Sequence, residues 1–121
     1  MFVNGKLEGE GSLSQHKEGY EWKYLYQGNF VGSLKQGKGK EINEKGETYE
    51  GLFNRDKKEG KGKQTLTNGS IYEGHWVNDC KNGPFKVTNK TKEGTRTIYK
   101  NFLKDFPKNI ISEADFLKHN N

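Results

Sequence analysis

Aromatic residues and glycines alternate with polar residues at a period of two along most of this chain. The clearest stretches are Tyr26-Gln27-Gly28-Asn29-Phe30, Tyr49-Glu50-Gly51-Leu52-Phe53 and Tyr72-Glu73-Gly74-His75-Trp76. Successive side chains of an extended strand point to opposite faces. Tyrosine, glycine and the second aromatic therefore share one face, and the residues between them take the other. A second alternating stretch follows, Gly37-x-Gly39 and Gly60-x-Gly62, with Gly83-x-Phe85 in the third case. The polar segments VGSLKQ, NRDKKE and VNDCKN lie between the two stretches, so each unit predicts a β-hairpin. Between hairpins, Asn68-Gly69 is a two-residue turn signal, because a type I′ turn needs positive φ at both central positions; Lys45-Gly46 is a weaker version.

The hairpins repeat. Tyr26, Tyr49 and Tyr72 are 23 residues apart, and Gly28, Gly51 and Gly74 follow at the same interval. The expected array fills residues 1–103: a partial unit over 1–23, full units over 26–48, 49–71 and 72–94, and a decayed unit over 95–103. Phe2, Gly5, Gly9 and Gly11 match the second half of the pattern, and about five extra residues intervene within 15–23. Tyr99 and Leu103 stand near the tyrosine and aromatic positions of the decayed unit, with Asn101 in place of glycine. Glycines facing the aromatic side leave hollows that rings from neighbouring strands can cover. The expected fold is all-β: an elongated, twisted, single-layer antiparallel sheet stabilised mainly between neighbouring hairpins.

The segments YQGNF, YEGLF and YEGHW, followed by GKGK, GKGK and GPFK, resemble the MORN repeat (membrane occupation and recognition nexus). The resemblance implies a hairpin array of this kind. It also implies a scaffold or protein–protein interaction role, as in subunits of cytoskeletal and ciliary assemblies such as radial spokes. Two alternatives come with it. One is peripheral binding to anionic phospholipid, and the other is service as an accessory subunit of an enzyme complex.

Beyond Leu103 the pattern changes. Proline cannot donate to a ladder, so Lys104-Asp105-Phe106-Pro107 is expected to end the strands. Ser112 with Asp115 reads as an N-cap with an acid three residues on, opening a helix over about 113–119 within the tail 104–121. Ile110, Ala114 and Leu117 form its apolar set, expected to dock the tail.

Composition narrows the function. Hydrophobic residues make up 29% of the 121, too few for a thick two-layer core. One cysteine, Cys80, excludes an internal disulfide framework. The first residues carry no apolar run, and no stretch reaches the roughly 20 apolar residues of a membrane span, so a soluble, intracellular protein is expected; a cytoplasmic place at the cytoskeleton or cilium is what the resemblance implies. His16, His75 and His119 are not spaced as metal ligands, and no nucleophile–base pair stands out. Lys81 beside Cys80 is expected to lower the thiol pKa somewhat. The Gly-x-Gly pairs recur by period and precede no helix, so they are not phosphate loops. Catalysis, a cofactor and a metal are not expected.

The net charge is +5. Lys38, Lys40, Lys61 and Lys63 fall on the face away from the rings, where Glu50 and Glu73 are placed to neutralise them. Lys35, Lys58 and Lys81, read as turn residues along one edge, are the anion-binding candidates. Tyr26, Phe30, Tyr49, Phe53, Tyr72 and Trp76 are the candidate partner-binding row, because a single layer leaves its apolar face open. The lysines alternate with glutamates and no nucleic-acid motif is present, so nucleic acid is not an expected partner. The partial first unit leaves an edge strand that, unless residues 19–23 or the tail cover it, could pair with another chain, a second copy included.

Overall fold

The computed structural model describes residues 2–16 and 23–119. Eleven strands and one helix follow in order: β1 (Phe2–Val3), β2 (Lys6–Leu7), β3 (Gly9–His16), β4 (Lys23–Val31), β5 (Leu34–Ile42), β6 (Thr48–Asn54), β7 (Lys57–Thr65), β8 (Ile71–Val77), β9 (Cys80–Thr91), β10 (Gly94–Leu103), β11 (Phe106–Ile111) and α1 (Glu113–His119). β3 to β11 form one nine-stranded antiparallel sheet in simple sequence order, and β1 pairs with β2 alone. This is the expected single-layer hairpin array. Residues 17–22, which hold much of the extra segment and most of the stretch considered as an edge cover, lie outside the described residues. Among those described, β3 pairs on one side only, with β4.

A continuous zigzag of rings holds the sheet together. Phe30, Tyr26, Phe53, Tyr49, Trp76, Phe85 and Phe102 contact one another in that order, with centroids 5.1–5.5 Å apart and planes crossed at 72–86°. Edge-to-face contacts of this kind are worth about 0.5–1.5 kcal/mol each beyond the area buried. The glycines make room for them. A Cβ on Gly39 would meet the Tyr26 ring, and one on Gly62 the Tyr49 ring. The Tyr26 and Tyr49 hydroxyls donate to the Asn29 and Leu52 carbonyls, both at 2.8 Å. Those carbonyls lie where the ladder shifts register, opposite a bulge that gives Gly37 and Gly60 positive φ of 82° and 97°.

The third unit departs from the pattern and keeps the architecture. Phe85 stands where the others have Gly39 and Gly62, and its ring takes the tyrosine's place in the zigzag. Tyr72 is displaced to a half-buried position beside Phe102, with centroids 6.1 Å apart.

The turn chemistry reverses the expectation. The tight two-residue turns lie inside the units, with positive φ at Gly32-Ser33, Arg55-Asp56, Asn78-Asp79 and Lys104-Asp105. Between units, Leu66–Ser70 forms a wider loop in which Gly69 donates to the Leu66 carbonyl at 2.9 Å, and Gly69 has positive φ where Asn68 does not. Positive φ normally disfavours residues other than glycine. Here it is supported by a two-point clamp to the preceding hairpin. The Asp56, Asp79 and Asp105 amides donate to the Lys35, Lys58 and Lys81 carbonyls at 2.9–3.0 Å. Their carboxylates accept the N–H of the same lysines at 2.7–2.8 Å. Ser33 makes the same clamp to Leu7 through its hydroxyl. Asp79→Ala is therefore expected to destabilise the protein by about 1–2 kcal/mol, since it removes one exposed charge-assisted bond and leaves a poor left-handed residue. Asp79→Asn, which keeps an acceptor and tolerates that conformation, should lose under about half of that. Equal losses in urea unfolding would refute the clamp.

The C-terminal end corrects three expectations. Pro107 does not end the strands; it sits in β11, which pairs only with β10 at the sheet edge. An edge strand tolerates proline because an outward-facing N–H has no ladder partner to lose. By register Pro107 occupies the position of Lys35, Lys58 and Lys81, whose N–H groups take the next hairpin's aspartate. Having no N–H, it cannot offer that half of the clamp. Second, Ile98 and Phe102, not Tyr99 and Leu103, face the core. Their strand is reached by a longer hairpin, and an odd shift in a strand exchanges the two faces. Third, the helix forms as expected over Glu113–His119, with the Ser112 hydroxyl accepting the Asp115 N–H at 3.1 Å, but it docks differently. Phe116 packs against Tyr99, with centroids 5.1 Å apart, while Ile110, Ala114 and Leu117 stay exposed.

Candidate interaction surface

The aromatic row is closed. Tyr26 is fully buried, and Phe30, Tyr49, Phe53 and Trp76 are each 2% exposed; Tyr72 is the half-buried exception. The expectation of an open apolar face fails because the repeated lysines cover the rings. Lys35 Nζ lies 5.1–5.6 Å from the Tyr24, Tyr26 and Phe53 ring centroids, and Lys58 Nζ lies 5.5 Å from those of Tyr49 and Trp76. Lys81 Nζ lies 5.1–5.5 Å from those of Tyr72, Trp76 and Phe102. These lysines are not turn residues: each is the second residue of its strand, β5, β7 or β9. Their side chains are only 13%, 18% and 17% exposed.

Carboxylates complete the cover. Lys35 Nζ donates to the Tyr24 hydroxyl at 2.6 Å and to Glu41 at 2.9 Å, and the Tyr24 hydroxyl donates to Glu41 at 2.7 Å. Lys58 lies 3.9 Å from Glu41, and Lys81 lies 3.3 Å from Asp105. Burial, then the Glu41 hydrogen bond, push the Tyr24 pKa well above its ordinary value; burial does the same for Tyr49 and also raises Tyr26. All three hydroxyls thus remain donors. Burial works against the Asp105 carboxylate, but hydrogen bonds and charge from Lys81 outweigh it and hold its pKa below the ordinary value. Burial and then Asp105 raise the Cys80 pKa, outweighing the lowering that Lys81 exerts as expected. Among the described residues no three His, Cys, Asp or Glu side chains converge as metal ligands, and no helix is long and apolar enough to cross a membrane.

The opposite face is open. It forms a trough of about 920 Å³ floored by the backbone of Gly28, Gly39, Gly51, Gly62 and Gly74, with Leu52 beside the floor and Phe116 of α1 at one end. Lys38, Lys40, Lys61, Lys63 and Glu50 line it and are exposed, and half-buried Glu73 lines it with them. Register sets Lys40, Glu50, Lys63, Glu73 and Lys86 in one alternating row. Among the described residues, however, the lysines of this face make no ion pair within 4 Å. The open face that sequence reasoning placed among the rings thus lies behind them. Leu52 was missed because Glu50 and Asn54, its neighbours on that face of β6, are polar, and Phe116 because the apolar set was read through Ala114 and Leu117 beside it. The clamping aspartates did carry a signal, since Asp56 and Asp79 recur at the 23-residue period.

The sequence profile of the MORN repeat matches residues 1–15, 26–48, 49–71 and 72–84. The last match, a partial one, stops one residue before Phe85, where the ring is supplied from the other strand. No curated protein matches the chain.

Proposed function

This chain belongs to the MORN repeat family, whose repeats serve as interaction or membrane-binding modules, and we propose that it is a non-catalytic scaffold that binds protein partners through the glycine-floored trough. One observation carries the reading. The rings are sealed under lysines, while the other face offers a long concave surface whose exposed lysines make no ion pair among the described residues. The family resemblance supports a cytoplasmic setting in a cytoskeletal or ciliary assembly. Affinity purification of the tagged full chain tests the reading against Leu52→Arg, which blocks the trough from an outward position. Partners held by the parent and lost by a folded Leu52→Arg variant are the expected result; retention of all partners would refute it.

Binding to anionic phospholipid is the second reading, favoured by the exposed Lys38, Lys40, Lys61 and Lys63. It does not run through Lys35, Lys58 and Lys81, whose ammonium groups are already engaged with rings and carboxylates.

A further inference from the structure

Resting on the trough as an interaction surface, we propose that it receives one amphipathic helix of a protein partner, laid across the strands with acidic residues seven positions apart on Lys38 and Lys61.

The charges of the trough fall into two rows of different character. In the first, Lys40, Glu50, Lys63, Glu73 and Lys86 alternate in sign by register, so the row largely neutralises itself. In the second, Lys38 of β5 lies opposite Leu52 of β6, and Lys61 of β7 lies opposite His75 of β8. No acid stands in these pairs, the acid of this row being Glu10, two strands away on β3 opposite Asn29, and among the described residues neither lysine makes an ion pair. Two strand spacings separate β5 from β7, about 10 Å. A helix rises about 10.5 Å in seven residues and returns to nearly the same face. Carboxylates at that interval would meet both lysines, with an apolar residue between them set on Leu52.

The floor selects a helix over an extended segment. Gly39, Gly51 and Gly62 are paired with strands on both sides, so their backbone has no ladder position to share. An extended chain lying there would bring its own unpaired N–H and C=O groups against a surface already satisfied, whereas a helix bonds its backbone internally. The fold already uses this solution at the trough's end, where α1 seats Phe116 on Tyr99. Shape and charge also disfavour a bilayer as the occupant. A lipid surface is flat, and Glu50 and Glu73 would oppose anionic headgroups across the floor.

The test uses the full chain and a synthetic helical peptide of about 18 residues, a length of about 27 Å. The peptide carries one leucine stripe flanked by glutamates at seven-residue intervals. A peptide of the same composition in scrambled order is the control. Fluorescence anisotropy should show binding of the patterned peptide at least tenfold tighter than of the scramble. Lys38→Glu with Lys61→Glu should weaken it at least tenfold, and lysines in place of the peptide's glutamates should restore it to the double variant. Equal binding of the scramble, or indifference to the double substitution, would overturn the proposal. So would a protein that ignores the peptide but binds phosphatidylserine vesicles through the same two lysines. The outcomes separate this proposal from the one it rests on. Natural partners lost by Leu52→Arg but kept by the double variant would sink the acidic helix and leave the trough standing; partners kept by both variants would sink the two together.

Discussion

Gly62→Ala is expected to destabilise the protein by about 3 kcal/mol, near the top of the range for overpacking a core. In a chain of this length that lowers the melting temperature by about 10–15 °C. Gly62 is buried in β7, and a Cβ there falls inside the van der Waals contact of the Tyr49 ring and hydroxyl. The ring cannot simply move. It is held edge-to-face by Phe53 and Trp76, and its hydroxyl is bound to the Leu52 carbonyl. Gly51→Ala, directly across the ladder, should cost at least as much for a different reason: its Cβ would lie 2.5 Å from the Gly62 Cα and the Lys61 carbonyl oxygen, which are backbone. The two mechanisms part in a Tyr49→Ser background. Removing the ring should relieve much of the Gly62→Ala penalty and leave the Gly51→Ala penalty in place. Additive losses for Tyr49→Ser and Gly62→Ala would refute the account of why these glycines recur.

The recurrence of rings and glycines made most of this fold legible. Period two fixed the strands and their faces, and period 23 fixed the hairpins and their order, because both depend on local geometry that each unit repeats. What escaped depends on contacts between units. The tight turn at Asn78-Asp79 looks ordinary in sequence, since its support is the Lys58 backbone, 21 residues upstream. Lys58 looked free for the same reason; nothing adjacent in sequence says that Trp76 and Tyr49 lie beneath its ammonium group. The open face was misplaced by a related step. Alternation told which residues share a face, but not that a row of lysine stems would close one face while the glycine floor left the other concave. At Tyr99 the reading failed by parity alone, because the longer last hairpin moved the core position to Ile98.

The third unit offers the sharper test of how ring and glycine are coupled. Phe85→Ala should cost about 3–4 kcal/mol, as for other buried phenylalanines. Phe85→Gly removes one more carbon and adds roughly 1 kcal/mol of backbone entropy cost, so simple truncation predicts that it is worse. The opposite is expected here. In the first two units the bare glycine lets the tyrosine of the facing strand lie over the backbone, and a methyl group at that position would block it. Tyr72 is displaced from that seat only because Phe85 fills it. Glycine at 85 reopens the seat, so Tyr72 can rotate in, meet Trp76 as Tyr49 does, and refill the cavity; alanine leaves a hole that Tyr72 cannot enter. Phe85→Gly should therefore be about 1–2 kcal/mol more stable than Phe85→Ala, the reverse of the usual order. Paired urea titrations decide it. If glycine proves the weaker of the two, or if adding Tyr72→Ala lowers both variants equally, the ring exchange between strands is not the reason that the third unit departs from its neighbours.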